Sequence, residues 1–140
     1  MRQFKFRAWD ERNKVMHYDF QFIKSGEEGN DWILFVSDKQ PISNYEGWLK
    51  NPYFQQQLKI MQWIGKRDKN DVEIYEGDIV IVPADYFGDH WCKEVRGVVT
   101  YEDDRFYVHN PNDKHGITSQ EVYWEKVTNI GDIYQHAAAI

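Results

Sequence analysis

Asp89-His90-Trp91-Cys92 places three possible metal or proton-transfer ligands within four residues. A structural zinc site needs a second ligand pair, and none follows at a suitable spacing. The other histidines, His17, His109, His115 and His136, never stand three or four apart. A Cys92 thiolate with His90 as its base would be the simplest nucleophile. Residues two apart on a strand share a face, but a catalytic pair usually meets across the fold and needs an activated thiol. The segment therefore reads as solvated loop, with Trp91 covering a rim. Ser25, Ser37, Ser43 and Ser119 lie outside any Gly-x-Ser-x-Gly elbow.

Carboxylates are plentiful. Glu27-Glu28 and Asp103-Asp104 fall in turns, where solvated charge is ordinary. No lysine follows an acid at two residues, so the simplest carboxylate-x-lysine metal-nuclease pattern is missing. No glycine-rich loop opens a helix to cradle phosphate. Lys5, Arg7 and Trp9 interleave charge with aromatic rings, as a base-stacking strand would. Alternation favours a plainer arrangement, with Phe4 and Phe6 inward and Lys5 and Arg7 in water. No catalytic residue, cofactor or metal site is expected.

The whole chain sets limits on these readings. It has 140 residues, enough for one domain that buries roughly 70% of its unfolded surface. Lys and Arg total 17 against 23 Asp and Glu, a net charge of −6. That balance disfavours a general nucleic-acid binder, which must displace counterions with a basic face. Cys92 is the single cysteine, so no internal disulfide forms. The N-terminal residues lack the apolar core of a signal peptide, and no apolar run is long enough to span a bilayer. A cytoplasmic location is expected.

The dominant period is two, the signature of strands with one buried face. Phe4 to Trp9 and Met16 to Phe22 form an expected hairpin around the polar turn 10–14. Trp32 to Val36 is a short buried strand. Segment 37–57 is irregular, with a helical turn expected at 53–57 after Pro52. Leu58 to Ile64 alternates and ends at Gly65. Ile74 to Val82 returns, broken at Glu76-Gly77, and Pro83 closes it. Residues 84–93 read as loop. Val95 to Tyr101, Phe106 to His109, Val122 to Trp124 and Ile130 to Tyr134 complete the strands. Residues 137–140 read as a fraying tail after a domain over 1–136. The expected fold is mainly β, a small partly open barrel with SH3-like character and short helical turns in loops. Phe4, Phe6, Trp63, Ile74, Ile79, Val99 and Ile130 are its expected core. Gly65, Gly77 and Asp78 are expected structural corners, with φ positive at Gly77.

Four segments carry a resemblance: Phe6-Arg7-Ala8-Trp9-Asp10, Met61-Gln62-Trp63-Ile64-Gly65, Lys66-Arg67-Asp68-Lys69-Asn70, and Ile74-Tyr75-Glu76-Gly77-Asp78-Ile79-Val80. Together with the closing Val127-Thr128-Asn129-Ile130-Gly131-Asp132-Ile133-Tyr134, they resemble the YopX family of phage and prophage proteins. The likeness spans nearly the whole chain. It departs at Asp71, where the family carries glycine after Asn70, and at Gln135-His136-Ala137. It implies a small β-rich protein of bacterial mobile elements and carries over no catalytic residue.

The resulting expectation is a noncatalytic binding or assembly module of a phage or prophage. The alternatives are a single-stranded nucleic-acid binder and, behind it, a cryptic metal-dependent hydrolase. A protein partner or self-association is expected ahead of nucleic acid, without membrane contact, and a homo-oligomer is the form self-association would take. The expected surface is Tyr45, Trp48, Tyr53 and Phe54, since 23 aromatic residues exceed what a small core requires.

Overall fold

The computed structural model describes residues 4–11, 14–18, 20–24, 32–36, 58–87, 89–110, 112, 117–118 and 122–140. Tyr45, Trp48, Tyr53 and Phe54, and the helical turn expected at 53–57, lie outside these residues. The fold is mainly β, and one sheet is a strongly curled half-barrel. The chain divides into two compact units, Phe6–Met61 and Met1–Lys5 with Gln62–Ile140.

In the first unit, β1 (Phe6–Asp10) pairs antiparallel with β2 (Val15–His17), Ala8 opposite His17 and Trp9 opposite Met16. β3 (Phe20–Lys24) and β4 (Trp32–Val36) form a second hairpin, with Phe20 opposite Val36 and Lys24 opposite Trp32. The single strand expected from Met16 to Phe22 is therefore two strands in two hairpins. β1 corrects another expectation. Arg7 is 4% exposed, Ala8 0% and Trp9 3%, so both faces of the strand are buried. Alternation marks the inner face only where the other face meets water. Arg7 is thus inside, whereas Phe4, expected in the core, precedes β1 and is 61% exposed.

The second unit is built on longer pairings. β5 (Leu58–Arg67) enters it at Gln62 and pairs with β6 (Glu73–Tyr75). Trp63 faces Tyr75 and Arg67 faces Glu73, so four steps along β5 match two along β6. Gly65 absorbs this bulge at φ +83°, in the left-handed region. The strand therefore runs through Gly65 and does not end there. A five-stranded antiparallel sheet follows, in the order β12-β11-β10-β7-β13. Its members are β7 (Asp78–Val82), β10 (Val95–Glu102), β11 (Arg105–His109), β12 (Ile117–Thr118) and β13 (Thr128–Asp132). Ile64, Ile74, Val80, Val82, Val99, Val108, Val122, Trp124 and Val127 form its core, against which Val95 and Phe106 pack. Ile74, Ile79 and Val99 are buried as expected, while Phe6, Trp63 and Ile130 are half-buried.

Two local expectations change. Residues 84–93 are not loop: β8 (Asp85–Phe87) and β9 (His90–Cys92) form a hairpin, with Tyr86 opposite Trp91. Val122 to Trp124 is not strand: Trp124–Lys126 is a 3-10 turn that buries Trp124. Ala137–Ala139 form another 3-10 turn, and the Ala139 carbonyl accepts from the Arg96 guanidinium at 2.9 Å.

Candidate interaction surface

The acids most suited to chemistry by burial hold backbone instead. Asp68 lies at the β5–β6 turn. Its Oδ1 accepts from the Asn70 and Val72 N–H groups at 2.8 and 2.9 Å, and its Oδ2 from the Asn129 N–H at 2.9 Å. Burial pushes this carboxyl up, but the three backbone donors, with Lys69 nearby, outweigh it and hold it below the usual carboxylate range. The turn that carries Asp71 in place of glycine closes with Asp71 itself at φ +65°. Asp78 is buried in the next corner. Its Oδ2 accepts from the Tyr75 N–H at 2.8 Å and the Asn129 side-chain amide at 2.7 Å. The positive φ expected at Gly77 is observed at +82°. The Gly77 N–H donates to the Val99 carbonyl, and its own carbonyl accepts from the Ile133 N–H. Asp132 repeats the device, accepting from the Tyr134 and Gln135 N–H groups at 2.9 Å each.

A fourth carboxylate, Glu73, is a charge hub. Glu73 Oε1 lies 2.6 Å from the Lys5 ammonium and 3.3 Å from the Arg67 guanidinium, and Oε2 accepts from the Tyr75 hydroxyl at 3.1 Å. The Lys5 hydrogen bond is the main reason its carboxyl sits low, against burial that would raise it. Lys5 also lies 4.7 Å from the centre of the Trp63 ring. Lys5 is thus engaged, and Arg7 and Trp9 are buried, so these three residues do not present an exposed stacking strip. His17 is buried too, with Nε2 3.6 Å from Asp10 Oδ2.

The Asp89 to Cys92 segment has a different use from the one its ligand types suggest. Cys92 sits in β9, half-buried and opposite Asp85. Among the described residues no group of three His, Cys, Asp or Glu is placed to hold a metal ion. Instead the hairpin displays rings. Tyr86 and Trp91 are a directly opposed pair, their centroids 4.8 Å apart and planes tilted by 60°. Such tilted geometry is favourable between aromatic rings. They are 61% and 59% exposed. On the opposite face of β8, the Asp85 carboxylate accepts from the Lys126 ammonium at 2.8 Å. This contact lowers the Asp85 pKa and raises that of Lys126. Lys126 also lies 5.2 Å from the centre of the Tyr123 ring. One face of the hairpin is thus fixed to the turn, and period two leaves the two rings on the open face. The sequence signal for it is the pair of turn-favouring residue types Gly88 and Asp89 between Tyr86-Phe87 and His90-Trp91.

The turn that anchors the hairpin also borders a cleft of about 340 Å³, lined by Ile64, Lys66, Phe106, Val122, Trp124 and Glu125. Ile64 and Lys66 flank the Gly65 bulge, and Phe106 is backed by Tyr101, 4.9 Å away between ring centres.

These features lie on a sequence with recognisable relatives. Over 98% of its length the chain is similar to protein EF1440 from Enterococcus faecalis, a crystal structure matched over 97% of its own chain at 25% identity and a TM-score of 0.56. No curated protein matches it. The YopX protein family matches residues 5–139, which include the corners at Gly65, Gly77 and Asp78, the Asp68 turn and the aromatic hairpin. The chain belongs to the YopX family.

Proposed function

We propose that this protein is a noncatalytic binding module of a bacteriophage or prophage that docks a protein partner on the Tyr86–Trp91 face. The observation that carries the reading is that pair: two large rings in contact, more than half exposed, on a hairpin held by the Asp85–Lys126 bridge. Trp and Tyr dominate the energetic centres of protein interfaces, because they bury much apolar area with little rotamer entropy to lose. Charge favours protein over nucleic acid. Residues 85–94 carry Asp85, Asp89 and Glu94 against Lys93 alone. The buried acids support the noncatalytic part, since their oxygens hold turns. Membership of the YopX family supports the phage setting.

The test compares wild type with the double variant Tyr86→Ala, Trp91→Ala as bait in cells with an induced prophage of this family. A protein captured by wild type and lost from the variant, with circular dichroism unchanged, supports the reading. An identical captured set overturns it. Sedimentation of both proteins identifies the case in which the partner is a second copy.

A further inference from the structure

We infer that β9 pairs edge to edge with β9 of a second copy of this chain, about a two-fold axis at Trp91. The inference rests on the docking reading above and names the partner.

The hairpin is the free end of a longer ribbon. Val82 faces Val95 and, three residues further along each strand, Asp85 faces Cys92. β8 and β9 thus continue the β7–β10 pairing in the same register, past a gap at Pro83, which has no N–H to give. β13 flanks the ribbon only as far as Ile81, and β11 only from Val98. Beyond those points, among the described residues, β8 and β9 pair with each other alone. The outer edges of such a ribbon are templates for a further strand.

The two edges differ. The Tyr86 N–H donates to the Asp85 Oδ1 at 2.8 Å, so it points away from β9. Tyr86 and Trp91 are therefore a non-hydrogen-bonded pair, and the Trp91 N–H and carbonyl point outward on the β9 side. On β8 the edge is closed by the Asp85 carboxylate, which Lys126 holds in place. On β9 it is open.

The charges beside β9 select the occupant. Asp89 immediately precedes the strand and Lys93 immediately follows it. Both are exposed, and neither makes an ion pair among the described residues. Opposite charges thus stand two residues to either side of Trp91. Antiparallel pairing of two copies centred on Trp91 sets each Asp89 against the other copy's Lys93, so the patch is complementary to itself. A slip of one residue sets Asp89 against Glu94 or Cys92 instead, so charge also fixes the register. At the axis the two Trp91 backbones exchange N–H to carbonyl hydrogen bonds. Tyr86 and Trp91 of both copies then line one face of a continuous sheet, β8-β9-β9-β8.

The experiment is sedimentation equilibrium of the full-length protein from about 10 μM to about 1 mM, the range of weak, transient interfaces. The samples are wild type, Asp89→Lys, Lys93→Asp and a one-to-one mixture of the two variants. Wild type is expected to dimerise reversibly. Each variant alone sets like charges across the axis and should dimerise about tenfold more weakly. In the mixture each lysine faces an aspartate of the other variant, so mixed dimers should return to the wild-type affinity. A wild type that stays monomeric overturns the inference. So do variants that dimerise as wild type does, or variants of unchanged circular dichroism whose mixture shows no recovery. The docking reading stands or falls separately. A monomeric protein whose bait still captures a partner lost from the Tyr86→Ala, Trp91→Ala variant keeps that reading and loses this one.

Discussion

Two parts of the second unit treat the same residue types in opposite ways. Around Asp68, Asp78 and Asp132, carboxylates are buried and their oxygens accept backbone N–H groups across turns and between distant strands. At the β8–β9 hairpin, Asp85 stays near the surface in a side-chain bridge, and the rings Tyr86 and Trp91 face outward. The first region uses polar atoms to fix the backbone, and its substitutions should act on stability. The second leaves apolar area open on a supported frame, and its substitutions should act on association. Stability and the proposed docking are therefore expected to respond to different side chains.

The comparison breaks first at Asp68. Asp68→Ala removes the acceptor of three part-buried backbone donors. A stranded buried donor costs about 1–3 kcal/mol and a part-buried one less, so a loss of about 2–3 kcal/mol is expected in urea unfolding at neutral pH. Asp68→Asn retains one acceptor and should recover roughly half of it. If Asp68→Ala leaves the midpoint unchanged, the turn is held by its neighbours and the carboxylate is incidental.

Acid sharpens the same point. Asp68 and Glu73 both titrate below the usual carboxylate range in the folded chain. Their contribution is therefore complete above the unfolded value of about 4 and is lost as pH falls through the lower folded values. Urea midpoints should hold from about pH 7 to 5 and fall below about pH 4. Asp68→Asn, with no proton to take up at this position, should fall less steeply. An equal slope would assign the acid sensitivity to other groups.

Gly77 is next in size. Its amide and carbonyl are both bonded at φ +82°, so the backbone cannot relax. Gly77→Ala should cost about 1–2 kcal/mol in the same urea experiment, the penalty of a side chain in the left-handed region. The smallest effect belongs to the hairpin. Trp91→Ala and Tyr86→Ala should each shift stability by no more than about 0.5 kcal/mol, as exposed positions do. A loss as large as that of a core residue would place the rings in the fold and remove them from the docking surface.

How much of this is legible in sequence depends on whether a strand has one wet face. β10 and β11 do, and periodicity places them to within a residue at each end, 95–101 and 106–109 against Val95–Glu102 and Arg105–His109. β1 does not, and the same rule puts Phe4 inside and Arg7 outside, the reverse of what is found. The Gly77 corner is readable because a glycine followed by an acid between two apolar runs has few other uses. The bond from Asn129 to Asp68 is not, since it spans 61 residues and no local pattern announces a bond across that distance. The aromatic hairpin is half-visible: Gly88-Asp89 marks its turn, but three residues on each side are too few for alternation to stand out. The cleft has no linear signature, because its walls come from β5, β11 and the residues 122–125.

The placement of β7 has a consequence for how the chain acquires its structure. β7 lies between β10 and β13, and its partner Asp132 stands 54 positions after Asp78. One flank of this inner strand therefore waits, unpaired, while the β8–β9, β10–β11 and β11–β12 pairs form. Closing so long a loop is entropically slow, and sheets dominated by such pairings fold in roughly milliseconds to seconds. During that interval the bare flank of Ile79-Val80-Ile81 is an open template for another nascent chain. Refolding yield should therefore drop with protein concentration, and a chaperone that shields this segment should restore it.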